Sequence, residues 1–297
     1  MHNWFKKCVS VAIVCGMLVC SGCGNESKKV IEDAKAPDVT GDVQVTVLDI
    51  GKADCIVIQT ENYNFMIDTG EKKDADEIEE FLQENGITKI DYLELTHYDK
   101  DHIGGLRKLL KNGLEVEHIY AYDNEVASKD YEKMMEELDE HNLELEYVED
   151  KKELQMDDLL VTIYAPMQDS YQTAANQGDE IENEFSMVTK LVHGENKMVF
   201  AGDACNGRLA ELSEQMSLEA DFLKVPHHGR ADNSTNTFVE AVGAKYAVIT
   251  DSDKNLADEA VIKSLEKNGA TVYETKNGQV DCVSDGKDLQ VTQTVVE

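Results

Sequence analysis

From Val43 onward, short apolar runs rich in β-branched residues alternate with helix-like segments, and the runs outnumber what a simple parallel sheet needs. VQVTVLDI at 43–50, CIVIQT at 55–60 and NFMID at 64–68 lie so close together that they predict an antiparallel beginning. Ile78, Phe81 and Leu82 then mark the apolar side of an acidic helix over 75–84, stopped by Asn85 and Gly86. IDYLELT at 90–96 reads as a strand, followed by a helix through Leu106, Leu109 and Leu110. Further strands are predicted near 116–122, 143–148, 159–164, 186–192, 197–203, 245–250, 271–273, 279–283 and 289–295, with helices near 131–141, 208–215 and 258–267. Strands in this number, with helices between them, bury their apolar faces best as two packed sheets with helices outside, an α/β (α+β) architecture.

Composition narrows the classes. A hydrophobic share of 41% permits a core, and only 3 prolines with no repeated block exclude fibrous and low-complexity chains. The net charge of −32 removes any broad basic footprint for nucleic acid, so binding to a polyanion must be local. The acidic stretches DKKELQMDD and YEKMMEELDEHN read as solvated faces, with Met134 and Met135 as core candidates. His141 and His193 read as surface groups, His118 as packing, and Cys205 as a buried small hydrophobe.

The N-terminus reads as an address. Lys6 and Lys7 precede an apolar or small run from Val9 to Cys20, too short for a membrane-spanning helix, which needs about 20 residues. Ser21 and Gly22 before Cys23 resemble the lipobox of bacterial lipoproteins. The expected organisation is a leader over 1–22, a lipidated Cys23, a flexible tether over 23–42 and one domain over 43–297 at the extracytoplasmic face of the membrane. Cleavage would remove two lysines and no acid, leaving −34. The body retains three cysteines, Cys55, Cys205 and Cys282, an odd number that excludes a complete disulfide framework.

The chemistry concentrates at strand ends, where loops aim side chains without burying free charge. His97, Asp99, Asp101 and His102 form an HxDxDH cluster between a strand and a helix, four potential ligands within six residues. Extended geometry would point His97, Asp99 and Asp101 one way while the turn carries His102 to a second position. Gly104 and Gly105 behind the cluster allow a close backbone approach. Asp68 in IDTG, Asp203 in AGD, and His227 and His228 in VPHHG stand at three more strand ends. The unpatterned segment 166–185 reads as a loop facing the same place.

With these residues in view, the chain resembles the metallo-β-lactamase superfamily, and within it stand-alone relatives of the hydrolase domain of ComEC-type competence proteins. LDIGKADCIVI, FMIDTG, THYDKDHIGGL, ENEFS, VFAGDA, LKVPHHG and VYETKNGQV occur in the family's order from about Val43 to the end. The resemblance implies a four-layer αββα sandwich. It matches His97, Asp99, Asp101 and His102 to the metal-binding signature, Asp203 to the carboxylate shared by two metals, His227 to the last histidine ligand and Asp68 to a brace behind the ligands. Many superfamily members carry histidine where Asp99 stands, and another where Asn183, Glu184 and Ser186 stand, so this donor set is richer in oxygen. Oxygen donors suit Mn²⁺ or Mg²⁺ better than three imidazoles do, and Zn²⁺ is not assumed. Arg230 occupies the place of a usual serine after HHG, and Asp258 lies where relatives commonly carry a histidine-proline pair.

The implied activity is metal-assisted hydrolysis with two divalent ions, Asp101 orienting the attacking water and His228 or Lys224 serving the departing oxygen. The expected substrate is a phosphoester, of DNA or a cell-envelope polymer, with the membrane reached through the lipid anchor only. Hydrolysis of a lactam, lactone or thioester on the same fold, and a metal-binding lipoprotein without catalysis, are the competing readings.

Overall fold

The computed structural model describes residues 31–124, 126–167 and 181–294, so the leader, Cys23, the first part of the tether and most of the 166–185 loop lie outside the described residues. Fifteen described strands form two sheets. The first contains β1 (Val43–Val47), β2 (Ile56–Gln59), β3 (Asn64–Ile67), β4 (Lys89–Glu94), β5 (Glu115–Ala121) and β6 (Leu145–Tyr147), flanked by β14 (Val280–Ser284) and β15 (Leu289–Gln293), in the order β15-β14-β1-β2-β3-β4-β5-β6. The second contains β7 (Lys151–Met156), β8 (Leu159–Tyr164), β9 (Val188–His193), β10 (Asn196–Phe200), β11 (Phe222–Lys224), β12 (Tyr246–Ile249) and β13 (Thr271–Glu274), in the order β13-β12-β11-β10-β9-β8-β7.

Each sheet is antiparallel on one side and parallel on the other. β1 to β3 pair antiparallel, as expected from their short connections, with Val45 opposite Ile58 and Ile56 opposite Ile67. From β3 through β6, and from β10 through β13, the pairing is parallel. Parallel strands require crossovers, which here carry helices: α1 (Ala75–Glu84), α2 (Lys100–Ile103), α3 (Leu106–Lys111) and α4 (Lys129–His141) on the first sheet, and α5 (Asn206–Gln215), α6 (Thr235–Val242) and α7 (Glu259–Lys267) on the second.

The strand period separates three apolar layers. Val45, Ile56, Ile58, Phe65 and Ile67 meet Val161, Ile163, Met198 and Phe222 between the sheets. Val57, Met66, Ile90 and Leu93 instead face α1 to α4. Val199, Leu223, Ala247 and Ile249 face α5 to α7. Central strands buried on both faces read as continuous apolar runs, which is why IVI in β2 shows no alternation. Each fully buried Val, Ile or Phe contributes about 1.5–3 kcal/mol, so this αββα arrangement is held chiefly by burial.

Three expectations need correction, for the acidic run, the tether and His193, and one helix was not anticipated. The acidic run at 150–158 contains β7, an edge strand whose alternately exposed residues hid it as a solvated face. The segment NSTNTFVEAV contains α6, in which Phe238, Val239 and Val242 are buried. The described part of the tether, 31–42, packs on the domain: Asp33 lies 2.6 Å from Lys190 Nζ and 2.7 Å from Lys197 Nζ, and the Gly41 N–H donates to Asp158 at 2.9 Å. An extended strap held by charges and backbone donors leaves no apolar period to read. His193 is buried too, 2.8 Å from Ser284 Oγ, whereas His141 is exposed beside Glu137. His118 stacks on Tyr92, with Glu146 Oε1 at 2.5 Å.

Candidate metal centre

The site lies where the parallel strands of both sheets end, so residues far apart in sequence converge at one edge of the sandwich. Asp68 follows β3, Thr96 and His97 follow β4, Asp101 and His102 sit in α2, Asp203 follows β10, and His227 and His228 follow β11. Ligand sites at the carboxyl ends of parallel strands are the general rule, because there the strands stop and their loops splay apart. The backbone is strained at these positions. Asp68, His227 and His228 have φ of 60°, 48° and 52°, a left-handed region that costs a non-glycine residue energy and marks functional turns. Gly105 serves a different need: a Cβ there would lie 2.0 Å from Thr69 O, so only glycine lets the HxDxDH turn close on the Asp68 turn.

The hydrogen bonds behind the site fix where each imidazole lone pair points. Thr96 N–H donates to Asp68 Oδ1 at 2.8 Å, and Thr96 Oγ1 donates to Asp68 Oδ2 at 2.7 Å. Having given its proton away, Thr96 Oγ1 accepts from His97 Nδ1 at 3.1 Å. His102 Nδ1 donates to Asp68 Oδ2 at 2.7 Å, and His228 Nδ1 donates to the Thr250 carbonyl at 2.9 Å. All three rings thus have Nδ1 engaged from behind and Nε2 directed forward, the arrangement of metal-ligating histidines.

Forward of the rings the polar atoms lack hydrogen-bond partners. His97 Nε2, His102 Nε2, His228 Nε2 and Asp203 Oδ1 are buried and unpaired by hydrogen bonds. His102 Nε2 lies 3.4 Å from Asp203 Oδ1, and His228 Nε2 lies 3.2 Å from Asp203 Oδ2 and 3.6 Å from Asp101 Oδ2. Two groups of donor atoms result, His97 with His102 and Asp203, and Asp101 with His102 and His228. Unpaired buried polar atoms cost free energy unless something fills the space between them. The charge pattern agrees. Burial alone would push the His102 pKa down, but Asp203 and Asp68 reverse it and hold it well above the usual imidazole value. The donor set therefore calls for positive charge at its centre, and divalent cations fit it.

Not every expected residue joins the cluster. Asp99 Oδ2 reaches within 3.7 Å of His97 Nε2, but its side chain is 47% exposed, at the rim. His228 occupies the position assigned to His227, whose Nε2 turns instead to Asn183 Nδ2 at 3.1 Å. Two successive residues in a left-handed turn send their side chains apart, and the dipeptide alone cannot say which faces in. Lys224 is fully buried, pairs with Asp54, donates to Gly202 O at 3.1 Å and lies 3.8 Å from Asp203 Oδ1. It braces the carboxylates from behind, so the expected role at a departing oxygen does not suit it. Cys205 is buried with Sγ 3.5 Å from Glu184 Oε1.

Sequence reasoning missed Asp54, Lys52 and Thr250. Asp54 Oδ1 accepts from Thr250 Oγ1 at 2.7 Å, so Asp54, Thr250 and Lys224 form a second brace behind His228. Lys52 Nζ lies 2.6 Å from Asp101 Oδ2. The available signal was the polar GKAD step after β1, two charged residues in a loop between apolar strands.

Glu94, one strand residue below the site, is completely buried, and its Oε2 accepts from Thr189 Oγ1. Burial raises its pKa from 4.5 to about 8, opposed by the Thr189 bond. Between those values the folded chain holds a proton that the unfolded chain has lost, so this group makes stability fall as pH rises from 4.5 toward 8. Glu94→Gln removes the dependence. Urea unfolding across this range should show a flatter profile, with the variant more stable than the parent by about 2–4 kcal/mol at the alkaline end and no more stable at the acid end.

With the geometry established, comparisons with known proteins give its context. The metallo-beta-lactamase superfamily profile matches residues 48–250. ComE operon protein 3 of Bacillus subtilis (strain 168) is 26% identical over 267 residues, covering 82% of this chain and 33% of that protein. Competence protein ComA of Neisseria gonorrhoeae is 25% identical over 239 residues, covering 78% of this chain and 30% of that protein. The chain thus spans about a third of the length of these curated relatives. Among solved structures, the metallo-beta-lactamase fold protein YhfI from Bacillus subtilis aligns with a TM-score of 0.52 at 15% identity, covering 82% of this chain and 100% of that one.

Proposed function

The chain belongs to the metallo-beta-lactamase superfamily and carries the donor set of a metal-dependent hydrolase, and on that premise we propose that it cleaves phosphoester bonds as an exported, lipid-anchored phosphodiesterase or nuclease. The observation that supports this most is the pair of donor groups sharing His102, one completed by Asp203 and the other by Asp101, so that forward-facing imidazoles are mixed with carboxylates. Such a donor set accommodates hard divalent ions, which match phosphoryl oxygens. Two divalent cations bound there would supply Lewis acidity toward a phosphoryl oxygen and make a water nucleophilic near neutral pH.

The chain's own groups do the rest. Asp68 holds His102, and Thr96 holds His97, so neither ring rotates as substrate enters. Asp203 is held well below the usual carboxylate range by His228 and His102 against the opposing effect of burial. Asp101 lies at the boundary between the buried donors and an open groove, where its carboxylate can orient an attacking water. The groove, of about 750 Å³, offers room for an extended substrate.

Export and anchoring rest on the leader pattern and Cys23. Among the described residues no helix is long and apolar enough to cross a membrane.

The test is a panel. Residues 24–297, supplied with Mn²⁺, Mg²⁺ or Zn²⁺, are assayed against bis-p-nitrophenyl phosphate, single-stranded DNA and nitrocefin. Turnover of a phosphodiester in excess of nitrocefin is the expected result. Turnover of nitrocefin alone would transfer the chain to the lactam class. No turnover, with Asp101→Asn altering only metal content, would leave a metal-binding protein without catalysis.

A further inference from the structure

Two lysines contact the site's carboxylates, and they face opposite ways. Lys224 is sealed beneath Asp54 and Asp203. Lys52 lies on the outer side: its Nζ sits 2.6 Å from Asp101 Oδ2, yet its side chain keeps 21% exposure and lines the open groove with Asp101 and Asp99. The position is rigid. Two residues later Asp54 donates its backbone N–H to Asp101 O at 3.1 Å, and its side chain is tied to Thr250 and Lys224. An ammonium has three donors, and Asp101 is the acceptor found for Lys52 among the described residues.

The charge of the groove points the same way. Five lysines and five acids line it, and one of the acids, Asp101, belongs to the cation-binding cluster. Once divalent cations offset Asp101, the lining sets five lysines against four acids on a molecule of net charge −32. An anion approaching this molecule meets repulsion at long range, so cations within a Debye length, about 8 Å at physiological salt, must capture it.

We propose that Lys52 binds the anionic phosphoryl group of the substrate at the mouth of the metal centre, so that the site selects negatively charged phosphoesters over neutral esters. This rests on the phosphoester reading above and gives it a substrate-recognising residue. Lys52 donates to a non-bridging oxygen while Asp101 keeps the other side of the ammonium in place. The bond is charge-assisted at both ends and partly shielded from water, the setting in which such bonds are strongest.

The experiment titrates inorganic phosphate into the metal-loaded protein by calorimetry, for the parent, Lys52→Gln and Lys52→Arg, with metal content measured on the same samples. Lys52→Gln should weaken phosphate binding about ten-fold or more at unchanged metal content, and Lys52→Arg should recover most of it. Equal phosphate affinity in the parent and Lys52→Gln overturns the proposal. So does joint loss of metal and phosphate, which would make Lys52 a positioning residue for Asp101. Displacement of phosphate by equimolar acetate overturns the phosphoryl assignment. A kinetic arm compares bis-p-nitrophenyl phosphate with a neutral phosphotriester: Lys52→Gln should raise KM for the anion and leave KM for the neutral ester within about two-fold, and equal rises in both count against the proposal. Failure of the parent to hydrolyse either would remove the phosphoester reading, while the phosphate titration would still decide the role of Lys52.

Discussion

Asp203→Asn should lower kcat/KM by about a thousand-fold or more, since a charge worth several kcal/mol to the transition state is removed from the centre of the site. Asp203 is the carboxylate with one oxygen toward His102 Nε2, at 3.4 Å, and the other toward His228 Nε2, at 3.2 Å. It belongs to the donor group of His97 and His102, and its other oxygen faces His228 of the second group. The same substitution should lower metal retained after dialysis, which elemental analysis reads independently of activity. Because Asn keeps the size of Asp, circular dichroism should show an unchanged fold. A variant retaining a tenth of the parent's kcat/KM with full metal content would remove Asp203 from the centre of the mechanism.

Lys224→Met should lower stability by about 3–5 kcal/mol, the usual consequence of stripping one partner from a buried ion pair. Desolvation pushes the Asp54 carboxyl up, but Lys224 first, then His228 and His102, bring it below the usual value. Without the ammonium that balance fails, and a completely buried carboxylate is left beside Asp203. For a domain of this size the change corresponds to a drop in Tm of about 6–20 °C. Lys224→Met combined with Asp54→Leu should recover a substantial part, because an apolar pair of similar volume leaves no charge behind. A single variant melting within 2 °C of the parent would show that the pair contributes nothing, however well it is placed.

These two residues illustrate how far the sequence could be read. Asp203 stands in VFAGDA, directly after an apolar strand, and an acid in that position has little structural use. Lys224 sits inside the strand FLK, where sequence shows a cation but not its direction. Period 2 does not reveal whether a residue on a doubly buried strand points into the site or behind it. The histidine pair posed the same difficulty, and only the left-handed turn at 227–228 selected His228. Asp54 was invisible for another reason: its partners are Thr250, 196 residues away, and Lys224.

Local pattern settled the element types. Apolar runs with β-branched residues became strands, acidic segments with an i, i+3, i+4 apolar face became helices, and the HxDxDH cluster was chemically loaded before any fold was known. It failed where stability came from elsewhere, as in the edge strand β7 and the strap through Asp33, whose contacts are ion pairs and backbone bonds rather than an apolar stripe.

By itself the chain determined which residues can bind cations and that two sheets would pack beneath helices, because these follow from side-chain chemistry and from periods of 2 and 3.6. Only the tertiary structure decided which donors share a centre, which lysine faces the groove and which histidine faces in. Those choices depend on distances between strand ends belonging to two different sheets, and no interaction local in sequence encodes a distance of that kind.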